Sequence, residues 1–210
     1  MEALIYDFDG TIVDSQGIHA EIESKMLAGY GISITPEEIS RRFSGVSFRD
    51  LFQAVFSEVG RTSPYNEEIS NRKMGLFIER VDEIKCIEGT IACIEEQYRY
   101  IPLAIASATR PEVIELILNK LKIRDRFKTV ASSREVKNGK PAPDVFLLAA
   151  KRLGVRPSTC VVIEDGISGM IGAKAAGMRC VGLVQDFTRE YPADFVTDDL
   201  RKVPFDRLFG

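Results

Sequence analysis

From residue 86 onward, short apolar runs alternate with amphipathic helical stretches, and this alternation limits the possible folds more than any other feature of the chain. Residues 103–106 read as a strand, and 111–120 as a helix with Val113, Ile114, Ile117 and Leu118 on one face. Residues 128–131 form a weaker strand. The helix expected over 143–153 has proline in its first turn, Asp144 beside it and Gly154 as a stop. Residues 159–163 read as a buried strand, 166–176 as a helix ending at Gly177, and 180–184 as a further strand. With residues 4–8 at the front, the pattern is repeated βαβα, which implies an α/β fold: a parallel sheet with helices on both faces.

One stretch breaks the pattern. From about Gln16 to Val81 there is no convincing strand, only helical spacings such as Ile18, Ile22, Met26, Leu27 and later Leu51, Phe52, Val55, Phe56. Turns fall near 33–36 and 61–66. The expected organisation is an α/β core domain from 1–15 and 82–210, interrupted by a helical domain at 16–81. A chain of 210 residues is long enough for one ample core and a modest insert.

Composition excludes several classes. Net charge is -3 with both signs interspersed, and Arg41-Arg42 is too short to be a nucleic-acid footprint. No apolar run approaches the ~20 residues of a membrane span. The apolar start Ala3-Leu4-Ile5-Tyr6 is soon interrupted by acids, unlike a signal peptide. Cys86, Cys93, Cys160 and Cys180 show no CxxC spacing and read as reduced, buried thiols of a cytoplasmic protein. His19 is the only histidine, so a zinc-type site is nearly excluded.

Reactive residues gather where the strands end. The first run ends in Asp7-Phe8-Asp9-Gly10-Thr11 and the second in Ser107-Ala108-Thr109; the third leads to Lys140, and the fourth ends in Glu164-Asp165. Ligands of open parallel sheets bind beyond these carboxyl ends. Up to four carboxylates in one crevice repel unless a cation sits among them, and an all-oxygen set suits a hard ion such as Mg²⁺. Lys140 adds a positive charge, and helices starting after Thr109 and Asp165 would aim N–H groups at an anion. A carboxylate nucleophile, Mg²⁺, a lysine and a helix N-terminus together describe phosphoryl transfer.

Each feature also has a plain structural reading. Asp-Gly after an apolar run is often a turn, Ser107 could be a helix cap, and Lys140 before Pro-Ala-Pro could be a solvated loop residue. Glu164-Asp165 could simply place favourable charge at a helix start. Taken jointly and in this order, the four segments favour the functional reading.

The segments DFDGT (7–11), SATR with Ser107, GKPAPDVF with Lys140 and VVIEDGISG with Glu164 and Asp165 resemble the four motifs of the haloacid dehalogenase superfamily. The resemblance spans nearly the whole chain, and within the superfamily the sequence is similar to the β-phosphoglucomutase-like branch, carried by DFDGTIVDS, His19, GKPAPDVF and IEDGISG. It implies a Rossmann-like core with an inserted helical cap. It further implies Asp7 as nucleophile, Asp9 as general acid and base, and Ser107 and Lys140 as holders of the phosphoryl group. Asp7, the Asp9 carbonyl and Asp165 would bind Mg²⁺, with Glu164 either a ligand or the holder of a bound water. Asp9 argues against a true dehalogenase, which lacks that second acid. Residues 45–50 resemble the branch's cap loop, with one residue more before Arg49. Arg49 is either a substrate clamp or a solvated cap residue. His19 is either linked to cap closure or a surface residue pairing with Glu23.

The resulting expectation is a Mg²⁺-dependent phosphatase acting on a small organic phosphate through a phospho-aspartate, with Thr11, His19, Arg49, Ala108, Thr109 and Arg110 as substrate contacts. The alternative is a β-phosphoglucomutase-type mutase, which needs groups such as Arg49, Thr109 and Arg110 for a second phosphate; Thr11 follows the phosphatase form instead. A non-enzymatic receiver-type phospho-acceptor is disfavoured by length, insert and Asp9. The expected partner is a small phosphorylated substrate, with no nucleic acid or membrane, and the protein would be a monomer or weak homodimer.

Overall fold

The computed structural model describes residues 1–43 and 46–209, without the side chains of Asp206 and Phe209. In chain order the elements are β1 (Ala3–Tyr6), β2 (Val13–Asp14), α1 (Gln16–Ala28), α2 (Pro36–Phe43), α3 (Phe48–Glu58), α4 (Glu67–Ile78), β3 (Lys85–Cys86), α5 (Glu88–Gln97), β4 (Leu103–Ser107) and α6 (Pro111–Lys120). They continue with β5 (Phe127–Ser132), α7 (Asp144–Leu153), β6 (Cys160–Glu164), α8 (Ile167–Ala175), β7 (Arg179–Leu183), β8 (Phe195–Thr197) and α9 (Phe205–Phe209).

The chain separates into two compact units, residues 1–14 with 85–210 and residues 15–84. In the first, six parallel strands lie in the order β5-β4-β1-β6-β7-β8. Strand β1 is central, pairing Ile5 with Ala104 on one side and Val162 on the other, and all four of its residues are buried. Its side chains alternate between faces. Ala3 and Ile5 pack with Val145, Phe146 and Ala149 of α7 and Met170 and Ala173 of α8. Tyr6 faces the other way, its hydroxyl 3.3 Å from Cys93 Sγ of α5. The α/β architecture expected from the alternation is therefore present, with helices on both faces.

Three details differ from the sequence pattern. Strand β1 stops at Tyr6, because the Phe8 carbonyl collects the N–H groups of Thr11, Ile12 and Val13 and turns the chain. Gly10 sits in this turn at φ 82°, a conformation that favours glycine. A two-stranded antiparallel pair, β2 with β3, and the edge strand β8 are too short to produce a periodic signal. All four cysteines are free, but Cys86 is only partly buried, unlike Cys93, Cys160 and Cys180.

The second unit is helical, α1 to α4. Leu27, Ile39, Leu51, Phe52, Phe56 and Phe77 are buried there. Ser47 and Asn66 cap α3 and α4 by accepting from Asp50 and Ile69 N–H groups. Among the described residues no helix is long and apolar enough to cross a membrane.

Candidate active site

The carboxyl ends of β1, β4 and β6 place acids and hydroxyls at one end of the sheet. Asp7 follows β1 directly and its N–H still bonds Ile163 O at 2.9 Å, so the carboxylate is set by the sheet rather than by a loose loop. Glu164 closes β6, and Asp165 is the next residue. Oxygens of Asp7, Glu164 and Asp165 lie within 4.8 Å of one another.

Lys140 enters this cluster from the segment before α7. Its Nζ donates to Asp7 Oδ1 at 2.5 Å and Glu164 Oε1 at 2.6 Å, and its side chain is only 9% exposed. The reading of Lys140 as a solvated loop residue is thus overturned. Burial alone would lower its pKa, but Asp7 and Glu164 hold it above the usual lysine range. Burial pushes the Asp7 carboxyl up to about 7 despite the Lys140 ammonium, with Glu164 adding to the rise. Asp165 is raised well above its ordinary value by burial, then by Glu164 and Asp7.

Three carboxylates facing one ammonium leave two negative charges when all are ionised, the amount a divalent cation neutralises. The donors are all carboxylate oxygens, with no sulfur or imidazole among them. This set fits a hard cation such as Mg²⁺.

Asp9 is not among the carboxylates grouped within 4.8 Å of one another. Its Oδ2 accepts from the Thr109 hydroxyl at 2.6 Å. Ser107 Oγ accepts the Thr109 N–H at 3.0 Å. Thr11 is fully buried and turns its hydroxyl to Asp165 Oδ1 at 3.4 Å, within the same cluster. Ala108 is exposed, while Arg110 is half-buried as the N-cap of α6, not fully exposed.

At the start of α8 the Gly166 N–H is taken by Glu164 Oε2 at 2.7 Å, and α6 begins with Pro111, which has no N–H, so any anion held there would meet the N–H groups that follow these two residues.

The remaining candidates belong to the helical unit. His19 is half-buried and stacked on Phe77 with centroids 4.2 Å apart, so it is not a plain surface histidine. Glu23, its suggested partner, receives Lys73 Nζ at 2.5 Å. Arg49 is exposed, 5.4 Å from the Tyr65 ring centroid. Of the resemblance seen over 45–50, Gly45 lies outside the described residues.

Two contributors escaped the sequence reading. Ser132, at the end of β5, donates from its hydroxyl to Thr109 O at 2.8 Å. Gly169 in α8 lies against Glu164, leaving no room for a side chain. A glycine inside a helix was the available signal for the second; nothing marked the first.

Residues 4–183 match the haloacid dehalogenase-like hydrolase family. The chain belongs to that family. This hydrolase is 30% identical over 183 residues to hexitol phosphatase B of Escherichia coli strain K12, covering 85% of this chain and 82% of that protein. It is 29% identical over 182 residues to the fructose-1-phosphate phosphatase YqaB of the same strain, covering 85% of this chain and 94% of the relative. Among solved structures it is similar to β-phosphoglucomutase from Clostridium difficile, with TM-score 0.85, 27% identity and coverage of 99% and 95% of the two chains. The hydrolase falls in the β-phosphoglucomutase-like and hexitol phosphatase-like branch with a helical cap, and it is an enzyme of the phosphatase family.

Proposed function

We propose that this hydrolase cleaves the phosphomonoester of a sugar or polyol through a phospho-aspartate at Asp7, with residues 15–84 acting as the cap that selects the substrate. The observation that carries the reading is the buried Asp7, Lys140, Glu164 and Asp165 cluster, with the second acid Asp9 two residues from Asp7. The similarity to relatives named hexitol phosphatase B and fructose-1-phosphate phosphatase supports that substrate class.

In the proposed reaction a carboxylate oxygen of Asp7 attacks phosphorus, and the bond to the substrate alcohol breaks as Asp9 protonates the departing oxygen. Asp9, now ionised, takes a proton from water, whose oxygen attacks the phospho-aspartate and releases inorganic phosphate and free Asp7. Lys140 fixes the Asp7 carboxylate through Oδ1, and Ser107 is assigned to hold the phosphoryl group. Asp7, Glu164, Asp165 and the Asp9 carbonyl would hold Mg²⁺. When bound, that ion neutralises charge so that one anion can approach another.

A mutase would use the same Asp7. The Thr109 hydroxyl, which a mutase could turn to a distal phosphate, is engaged with Asp9 instead, and this weighs toward hydrolysis.

The test supplies fructose 1-phosphate, hexitol phosphates, and β-glucose 1-phosphate with catalytic glucose 1,6-bisphosphate, with Mg²⁺ present or chelated. Metal-dependent release of inorganic phosphate from a sugar or polyol phosphate is expected. Fast formation of glucose 6-phosphate with little inorganic phosphate would replace the phosphatase by a mutase.

A further inference from the structure

The motif resemblance implies that Thr109 contacts the substrate, yet its surroundings describe a different task. Residue 109 is held on three sides. Its N–H donates to Ser107 Oγ at 3.0 Å, its carbonyl accepts from Ser132 Oγ at 2.8 Å, and its hydroxyl donates to Asp9 Oδ2 at 2.6 Å. Ser132 is fully buried at the end of β5, and its Oγ also accepts the Arg134 N–H within a capping box closed by Glu135. The backbone that carries Thr109 is therefore tied to both β4 and β5. Thr109 is itself only 9% exposed, and its branched side chain has few rotamers.

Asp9 approaches from the opposite side on an equally fixed backbone. Its flanking turn is closed by Gly10 N–H to Val13 O at 2.7 Å and by three N–H groups on Phe8 O. Two rigid backbones with one short hydroxyl–carboxylate bond between them define one orientation for the acid. A hydroxyl bound to a carboxylate is also among the stronger hydrogen bonds.

We propose that Thr109 is a positioning residue that aims Asp9 at the leaving oxygen, rather than a substrate contact. The proposal rests on the function inferred above, in which Asp9 is the general acid. Ser132 supports the arrangement by holding the Thr109 carbonyl.

The reaction offers a readout that a merely structural residue would not move. An alkoxide leaving group needs protonation as it departs, whereas the weakly basic nitrophenolate does not. Since kcat/KM reports the steps up to the first irreversible one, a misplaced acid should affect the two substrate types differently. The experiment measures kcat and KM with fructose 1-phosphate and p-nitrophenyl phosphate for wild type, Thr109→Val, Thr109→Ser, Asp9→Asn and the Asp9→Asn/Thr109→Val double variant. Crystal structures of wild type and Thr109→Val accompany the kinetics. Thr109→Val should lower kcat/KM for the sugar ester roughly 10- to 100-fold, the range for losing one charge-assisted hydrogen bond. For the nitrophenyl ester the loss should stay below about threefold, since that leaving group needs little acid. Thr109→Ser should recover most of the activity, and Val at 109 should add nothing once Asp9 is Asn. The Asp9 carboxylate should leave its wild-type rotamer in the Val variant.

Equal losses on both esters, a raised KM with unchanged kcat, independent effects in the double variant, or an unmoved Asp9 in the crystal would each overturn the proposal. Because the rotamer is read without turnover, it separates this failure from that of the phosphatase reading, which is shown by a wild type inert toward every ester.

Discussion

A Cβ placed on Gly169 would lie 1.7 Å from Glu164 Oε1, so the helix that follows β6 is packed directly on the carboxylate that closes it. The same Oε1 accepts from Lys140 Nζ at 2.6 Å, and Oε2 accepts from Gly166 N–H at 2.7 Å. Glu164 has no free direction in which to move without losing a partner.

Gly169→Ala should therefore expel Glu164 from its place. The expected cost is about 1–3 kcal/mol of stability, as for overpacked cores, together with weaker Mg²⁺ binding. Denaturant titration and calorimetric Mg²⁺ titration measure the two. Unchanged metal affinity would mean that Glu164 does not contribute to the cation site.

Lys140→Met removes the buried ammonium while keeping much of its length. Asp7 and Glu164 then remain buried without compensation, and a loss of about 3–5 kcal/mol follows in metal-free buffer. Saturating Mg²⁺ should restore part of that loss, since the cation supplies positive charge to the same acids. An equal loss with and without Mg²⁺ would show that Lys140 and the metal do not share this charge cluster.

Stability should depend on pH with a definite sign. The Asp7 carboxyl is raised to about 7 by burial, against an ordinary value near 4, so the folded state holds this proton more tightly than the unfolded state. Without metal, folding stability contributed by this group is full at low pH and falls as pH rises from about 4 through about 7. Asp165, also raised, acts in the same direction. Asp7→Asn should flatten part of this fall and abolish turnover. Urea unfolding in chelator between pH 5 and 8 checks the slope; a stability that rises through that window in the wild type but not in the Asn variant would contradict the sign.

Asp9→Asn preserves the shape of the side chain and its ability to accept from Thr109, but cannot exchange a proton. Turnover of a sugar phosphate should drop roughly 10²–10⁴-fold, the range for losing general acid–base help. A drop below about tenfold, with product release shown to be fast, would remove the acid–base role from Asp9.

Much of the fold follows from local pattern. Residues 111–120 carry helical spacing behind a proline, and that is where α6 lies. The apolar runs near 103–107 and 160–164 are where β4 and β6 lie, because a strand buried on both faces leaves a continuous apolar signature. The same pattern also marks which polar residues stand at the strand ends, since a charged residue is excluded from those interior runs. Direction and partnership are another matter. Sequence spacing does not bring Lys140 to Glu164 across 24 residues, or Thr109 to Asp9 across 100. It does not say that Thr11 turns inward to Asp165 across 154 residues. Those contacts arise only when parallel strands stack in the order β4-β1-β6 and place their ends side by side. Local periodicity decides which face of an element is apolar, whereas hydrogen bonds between distant segments depend on how the elements pack.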